Sequence, residues 1–395
     1  MTGKRKRKLA MPDTLIIVAS VVLLVAILSW IIPSGTYDYQ EMNINGRIRN
    51  VAIDGTYHTI DKSEVTTTGF LGFFSVLYRG CVEAADVIFM ILCCCGTFGV
   101  VVKTGAFHAG IGTILKKLKG KEILLVPIIM MIFGLGGSVF GMASEFYGFY
   151  PLIVGLGVAL GYDAMFGFAI IAVGEFVGFM GATLNPYSVG IAQTISGVEL
   201  YSGTGYRAIC FVIFMAISII YVMVYGRKIK KNPGASVVFG EKNIHAFDRD
   251  ELNEYSFTLK DGLVLLDVLV VLVVLMLGLI KWGWDFPQLC GLFLLMSMIA
   301  AAICKWSPNK WCSEFIDSAK TAMWGCILTG IAKAITVVMQ DAQIMDTVIY
   351  GLSNVLKNAP HAVSAQVMLV VQTLINFFIP SATGQASATM PIMAQ

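Results

Sequence analysis

The chain has 395 residues, 57% hydrophobic and 13% charged, with a formal net charge of +3. Soluble domains carry about twice that charge, roughly 25%, and several apolar runs reach the ~20 residues that cross a bilayer. A soluble fold is excluded, and a multi-pass membrane protein is expected.

Residues 1–33 read as a cytoplasmic tail and a first transmembrane helix. The start MTGKRKRKLA is basic, and the apolar run is Thr14 to Ile32. Clustered Lys and Arg beside a span set orientation, with the N-terminus inside, and are not a nucleic-acid surface. IIPSGTYDY offers no small-x-small cleavage site, so the first helix is expected to stay uncleaved. Residues 34–68 are polar, carry the turn signals NGR and DGT, and read as an external loop.

Residues 69–231 form the next block. A span near Ala84 to Val102 returns to the cytoplasm. An interfacial helix follows over 104–119, where Phe107, Ile111, Ile114, Leu115 and Leu118 recur at helical spacing and lysines crowd the end. His108 reads as an interfacial side chain. Residues 122–160 are apolar but interrupted by GGSVFGMASEFYGFYP. Two full spans or a re-entrant hairpin fit this pattern. Irregular backbone at membrane depth is tolerated only where protein or a water-filled cavity surrounds it. A helix over 163–196 is broken at GATLNP, and a span from Tyr206 to Tyr225 ends in the basic GRKIKK.

Residues 232–260 read as a cytoplasmic connector. Residues 261–395 hold spans from Gly262 to Ile280, Pro287 to Ile303 and Ala322 to Met339. An interfacial helix over 341–358 and a hairpin from 361 follow.

These last elements repeat an earlier order. GIGTILKKLKG resembles VIYGLSNVLKN, and GMASEFYGFYPLIVG corresponds to SATGQASATMPIMAQ, with Pro151 on Pro391. The offset is ~240 residues, the weak internal symmetry of transporter repeats. An odd number of crossings separates the copies, which turns the second upside down. The expected fold is an all-α polytopic membrane protein with two inverted repeats, each with a re-entrant hairpin and a broken helix. The second copy stops at Gln395, before its own broken helix. The chain is therefore expected to be a truncated form of a longer transporter, its own activity left open.

Pro186 donates no backbone hydrogen bond and clashes with the carbonyl four residues back. Gly181 and Gly190 loosen the helix further, so backbone groups near Thr183 and Asn185 need partners. One reading is a proline kink patched by neighbouring side chains. The other is an ion or substrate site, where the Asn185 amide and Thr183 hydroxyl supply hard oxygens. Glu145 and Glu175 are acids at membrane depth, which mark function by default. Glu145 either meets a substrate ammonium, guanidinium or coupling proton, or caps amides at the hairpin tip. Glu175 either joins it or pairs with another helix. Lys333 is expected to snorkel. Phe146, Tyr147, Phe149 and Tyr150 read as packing, and Tyr187 stands near the break. Cys93, Cys94 and Cys95 lie in an apolar run and behave as small hydrophobes. GLGGSVFG lacks the spacing of a nucleotide loop. No nucleophile with its base and no metal set appears, so no enzyme is expected.

GMASEFYGFYPLIVGLGVALGYD, GEFVGFMGATLNPYSVGIAQTISG and FFIPSATGQASATMPIMA resemble the bacterial YfcC family. That family is related to the C4-dicarboxylate anaerobic carrier DcuC and to some arginine/ornithine antiporters of the ion transporter superfamily. The resemblance covers nearly the whole chain. It implies that hairpin tips and helix breaks line the substrate and ion sites: Gly141, Ser144 and Glu145; Thr183, Asn185 and Pro186; and Ser381, Thr383, Gly384 and Ser387. A coupling sodium near Thr183, Asn185 and Ser144, or a coupling proton, would be the only cofactor. A homodimer is implied as well. The expected function is secondary transport of a small carboxylate-bearing metabolite across the bacterial inner membrane. An amino acid, basic ones included, is preferred because two acids suit a cation; a C4-dicarboxylate is the alternative, and a channel or an inactive fragment stands behind both.

Overall fold

The computed structural model describes residues 12–44, 47–118, 122–240, 257–357 and 363–393. The basic start, most of the connector, Lys119 and Lys121, and the first residues of the hairpin from 361 lie outside the described residues.

In chain order the elements are α1 (Thr14–Ile31), four short strands β1 (Ser34–Thr36), β2 (Tyr39–Ile44), β3 (Arg47–Ala52) and β4 (His58–Ile60), then α2 (Phe70–Glu83), α3 (Ala85–Lys103) and α4 (Ala106–Leu118). Next come α5 (Leu125–Leu135), α6 (Tyr150–Ala159), α7 (Ala164–Met180), α8 (Ile191–Ile195) and α9 (Thr204–Lys231). After the connector follow α10 (Leu259–Lys281), α11 (Phe286–Ile303), α12 (Pro308–Lys320), α13 (Met323–Asp341), α14 (Met345–Lys357), α15 (Ser364–Phe378) and α16 (Ala382–Met393). Among the described residues, six helices are long and apolar enough to cross a membrane: α1, α3, α9, α10, α11 and α13.

Two expectations need amendment. The segment read as an external loop carries strands, with β1 antiparallel to β4 in the register Ser34↔Ile60 and β2 paired with β3. The tip of the second hairpin is helical from Ala382, so Thr383, Gly384 and Ser387 lie on α16 and only Ser381 precedes it. Two further helices, α2 and α12, do not appear in the sequence reading.

The chain divides into two compact units. The first holds residues 1–41, 50–88 and 324–395. Its membrane core joins Val22, Val25 and Ala26 of α1 to Val76 of α2 and Ala334, Val337 and Val338 of α13. A second cluster sets Tyr37 and Ala52 of the strand segment against Ile349 of α14, Val371 and Ile375 of α15, and Ile392 and Met393 of α16. Polar contacts pin this segment. Asp346 accepts from Thr36 Oγ1 (3.1 Å), the Tyr37 amide (3.1 Å) and the Tyr39 hydroxyl (2.8 Å). The Tyr57 ring stacks on Tyr350 at 4.1 Å. Burial and the nearby Asp346 carboxylate raise the pKa values of Tyr37 and Tyr39 well above the usual 10.0.

The second unit holds residues 42–49 and 89–323. Its core runs from Met90, Cys94 and Phe98 of α3 through α5, α6 and α7 to Phe293 and Met296 of α11. Glycines let α5 and α7 approach backbone to backbone. A Cβ at Gly174 would lie 2.9 Å from the Met130 carbonyl oxygen, and one at Gly178 would lie 3.0 Å from Ser138 N. Asp163 caps α7 through the Phe166 amide (2.7 Å) and also accepts from Tyr225 and Ser236 hydroxyls, both at 2.6 Å. That carboxylate ties the start of α7 to the basic end of α9.

The element order repeats. A two-helix unit of 19 and 13 residues, α3 and α4, recurs as α13 and α14 with the same lengths. The joints match in detail. Gly105 has φ 85° and donates to Val102 O at 3.0 Å; Gln343 has φ 48° and donates to Gln340 O at 3.0 Å. The residue before each donates at 3.1 Å, Thr104 to Val100 O and Ala342 to Val338 O. Amphipathic helices precede both copies (α2, α12), and an apolar arm with a second, shorter helix follows both (α5–α6, α15–α16).

Candidate functional site: an interrupted helix and a folded-back hairpin

The second unit holds the first hairpin and the broken helix side by side. α5 runs on into a π-turn, Gly136–Phe140, which ends at Gly141 in the left-handed region (φ 68°). The chain then turns through a 3-10 segment, Ser144–Phe149, and returns as α6. Opposite it, α7 stops at Met180 and helix resumes at Pro186, where a π-turn, Pro186–Gly190, leads into α8. Gly141 is required twice, by its φ and because a Cβ there would lie 2.7 Å from Asn185 Oδ1.

The groups freed by the break are satisfied mainly from the hairpin. Asn185, fully buried, donates through Nδ2 to Gly137 O (3.0 Å) and caps the resumed helix by accepting from the amides of Tyr187 (2.9 Å) and Ser188 (3.1 Å). Ser138 carries the rest. Its carbonyl accepts from the Thr183 and Leu184 amides (2.9 and 3.2 Å), and its hydroxyl donates to Gly181 O (3.1 Å) and shares a 3.1 Å bond with the Thr183 hydroxyl. The Thr183 carbonyl accepts from Arg207 Nη2 (3.0 Å) and Thr204 Oγ1 (3.4 Å). Thus Gly141, Thr183, Asn185 and Pro186 come together, joined by Ser138 and Arg207, which the sequence reading does not name. Ser138 lies inside GLGGSVFG, weighed there only as a nucleotide loop. Arg207 lies one residue inside the span expected from Tyr206 to Tyr225. Its signal is a lone guanidinium abutting an otherwise apolar run.

Ser144 and Glu145 begin the 3-10 turn and do not join that cluster. Glu145 is buried and accepts from the Ala143 amide (2.9 Å), the contact that the capping alternative requires. Glu175, 3% exposed, accepts a long bond from the Tyr150 hydroxyl (3.3 Å). Among the described residues, neither acid forms an ion pair with Lys or Arg. Ser381 accepts from the Gly384 amide (3.2 Å), and the Ser387 hydroxyl donates to Thr383 O (2.9 Å). These four residues belong to the first unit. Among the described residues no group of three or more His, Cys, Asp or Glu side chains is placed to hold a metal.

Measured from Ala164 at 1.5 Å per residue, Glu175 is about 17 Å along α7 and the break about 25 Å.

Six helices long and apolar enough to span a membrane among the described residues, with a hairpin folded back beside an interrupted helix, define a mostly helical, multi-pass membrane protein. Residues 11–395 match the model of the family described as the C4-dicarboxylate anaerobic carrier, DcuC. The chain is similar to YfcC of Escherichia coli (strain K12), whose name assigns it provisionally to basic amino acid antiport. They are 31% identical over 99% of this chain and 84% of that protein. An uncharacterised Haemophilus influenzae protein is 28% identical over 99% of this chain and 85% of its own length. Among solved structures, the Neisseria gonorrhoeae efflux pump MtrF is similar at 16% identity, with 98% of this chain and 81% of that one covered and a TM-score of 0.46. The Alcanivorax borkumensis YdaH transporter is similar at 12% identity, with 97% and 82% covered and a TM-score of 0.43. At those scores neither fixes the topology. The chain belongs to the DcuC family of transporters, in its YfcC branch.

Proposed function

We propose that the chain is a secondary active transporter that moves a small carboxylate-bearing metabolite, a basic amino acid in preference, across the bacterial inner membrane by alternating access. One observation carries this reading: Glu145 and Glu175 are buried, and no Lys or Arg among the described residues pairs with either. Carboxylates this dry need a cation, either a substrate ammonium or guanidinium or a proton. The name of the Escherichia coli relative points the same way. The family description favours a C4-dicarboxylate instead. Two uncompensated acids repel a dianion, so that reading stands second.

Two inverted repeats would supply the alternation. The matching joints at Gly105 and Gln343 support a repeat. Inversion is supported by each copy's own surroundings. α14 carries the strand segment that follows the first crossing, whereas Lys260, at the end of the connector, reaches Thr104 O beside α4 (3.4 Å). On this reading the basic end of α9 is cytoplasmic.

The test is counterflow in proteoliposomes with labelled arginine, ornithine, fumarate and succinate, with and without sodium. Arginine or ornithine should exchange, and Glu145→Gln and Glu175→Gln should each slow that exchange by about tenfold or more. Removing one partner of a buried charge pair costs about 2–5 kcal/mol. Full exchange in both variants would remove the acids from the site. Exchange of fumarate without arginine would establish the second reading.

A further inference from the structure

A half-helix that stops inside a membrane presents carbonyl oxygens with partial negative charge, and these attract a cation. α7 stops in this way at Met180, and a side chain of the protein already meets the interrupted segment that follows it. Arg207, in the first turn of α9, donates through Nη2 to the Thr183 carbonyl (3.0 Å) and to Thr204 Oγ1 (3.2 Å), and through Nη1 to Ser202 O (2.7 Å). We infer that Arg207 is the resident cation of the first break, and that this break takes no sodium ion.

Several of the other oxygens there are engaged. The Thr183 hydroxyl is shared with Ser138, the Gly181 carbonyl accepts from Ser138, and Asn185 Oδ1 accepts two amides. A sodium ion would have to strip protein donors from several of these at once. Ser144, the third residue of the expected sodium set, makes no hydrogen bond to this cluster. Arg207 tolerates a cost to stay where it is, because its Nε is buried without an acceptor, and such an orphan donor is unfavourable. Two of the three contacts that hold the guanidinium are to main-chain carbonyls, Thr183 O in the break and Ser202 O before α9, and the third is to the Thr204 hydroxyl, so it is held by neutral oxygens and not by a paired acid. A tethered guanidinium also differs from an ion in function. It cannot leave during a transport cycle, so it fixes the charge at the break and fastens the start of α9 to it. Given the transporter reading above, any coupling ion acts elsewhere, and Glu145 and Glu175 are the remaining charged groups of this unit's site.

The test is thermal melting of the purified full-length protein in detergent, which needs no transport and so fails or succeeds independently of the substrate assignment. Melting is compared in N-methylglucamine, sodium and methylguanidinium chlorides at equal ionic strength. Wild type and Arg207→Lys should respond alike to the three salts. Arg207→Ala should melt several degrees lower and regain part of that loss in methylguanidinium or sodium, a cation response that wild type lacks. Arg207→Gln, which keeps a donor without the charge, should gain the same response, so the test does not hang on the alanine variant folding. If neither uncharged variant responds to cations more than wild type does, Arg207 is a structural donor only and the inference is overturned.

Discussion

The closest approach of α5 and α7 makes Gly178→Ala the sharpest test of how the site is built. A Cβ at 178 would stand 3.0 Å from both Gly134 C and Ser138 N and closer still to the Gly134 carbonyl oxygen, against 3.4 Å for ordinary contact. All three atoms are backbone, so no side chain can swing away and the two helices must part. Helix propensity favours alanine by about 1 kcal/mol, while overpacking costs about 1–3 kcal/mol, occasionally more. Backbone on both sides pushes the cost to the upper end, so the net effect is about 2 kcal/mol of destabilisation. Separation would also stretch the bonds between the break and the π-turn, Asn185 to Gly137 and Ser138 to Thr183, already at 3.0 and 3.1 Å. Melting in detergent should therefore fall by several degrees, and exchange should fall with it. Gly291→Ala on α11 is the control, since a Cβ there meets nothing within 4 Å; it should be neutral or slightly stabilising. Equal melting of the two variants would refute the close-packed α5–α7 seam.

Asn185→Ala removes a helix cap, about 1 kcal/mol, and one of the two hydrogen bonds to the Gly137 carbonyl, which keeps the Gly141 amide, about 0.5–1.5 kcal/mol. A loss of about 2 kcal/mol is expected in denaturant or thermal unfolding, and Asn185→Asp should be no milder because it replaces the donor with an oxygen facing that carbonyl. For the strand segment of the first unit, pH is the handle. Tyr37 and Tyr39 have folded pKa values raised by burial and by Asp346, so their contribution is fully present below the unfolded value of about 10 and is lost as pH rises beyond it. Tyrosinate difference absorbance should show two fewer late-titrating tyrosines in Tyr37→Phe with Tyr39→Phe than in wild type. An unchanged late-titrating amplitude in that variant would show that the segment is not pinned.

The long helices were legible because mean hydropathy alone marks a span. α2 and α12 were not, because their apolar residues are interleaved with polar ones: Phe70, Phe74 and Tyr78 are exposed while Val76 is buried. The strands at 34–60 depend on contacts made far along the chain, such as Asp346 to Tyr39, which no local pattern encodes. The break was legible from Asn185-Pro186, because proline removes a donor wherever it stands. What satisfies the break was not. Ser138 is 45 residues from Thr183, and its surrounding glycines look like any flexible stretch until α7 is packed on them. Arg207 was hidden by its position at the end of a span, where an arginine ordinarily reaches for water.

The two hairpin tips are unequal, and this bears on how a cation would be carried. With Pro151 on Pro391, Gln385 takes the place of Glu145. In the first hairpin the acid has one amide donor from Ala143 and no cation partner among the described residues. In the second, Gln385 donates to the Gln372 carbonyl (2.8 Å) and side-chain oxygen, and Gln372 donates in turn to Thr389 (3.1 Å). A neutral amide with its bonds made needs no counter-ion, whereas a dry carboxylate does. On the repeat reading, the two tips share an element order but not a charge. On the proposed reading, one anionic site near Glu145 and Glu175 must be visited in turn by whatever cations are exchanged. Exchange then follows from competition for that site, because leaving it empty costs more than occupying it with either cation.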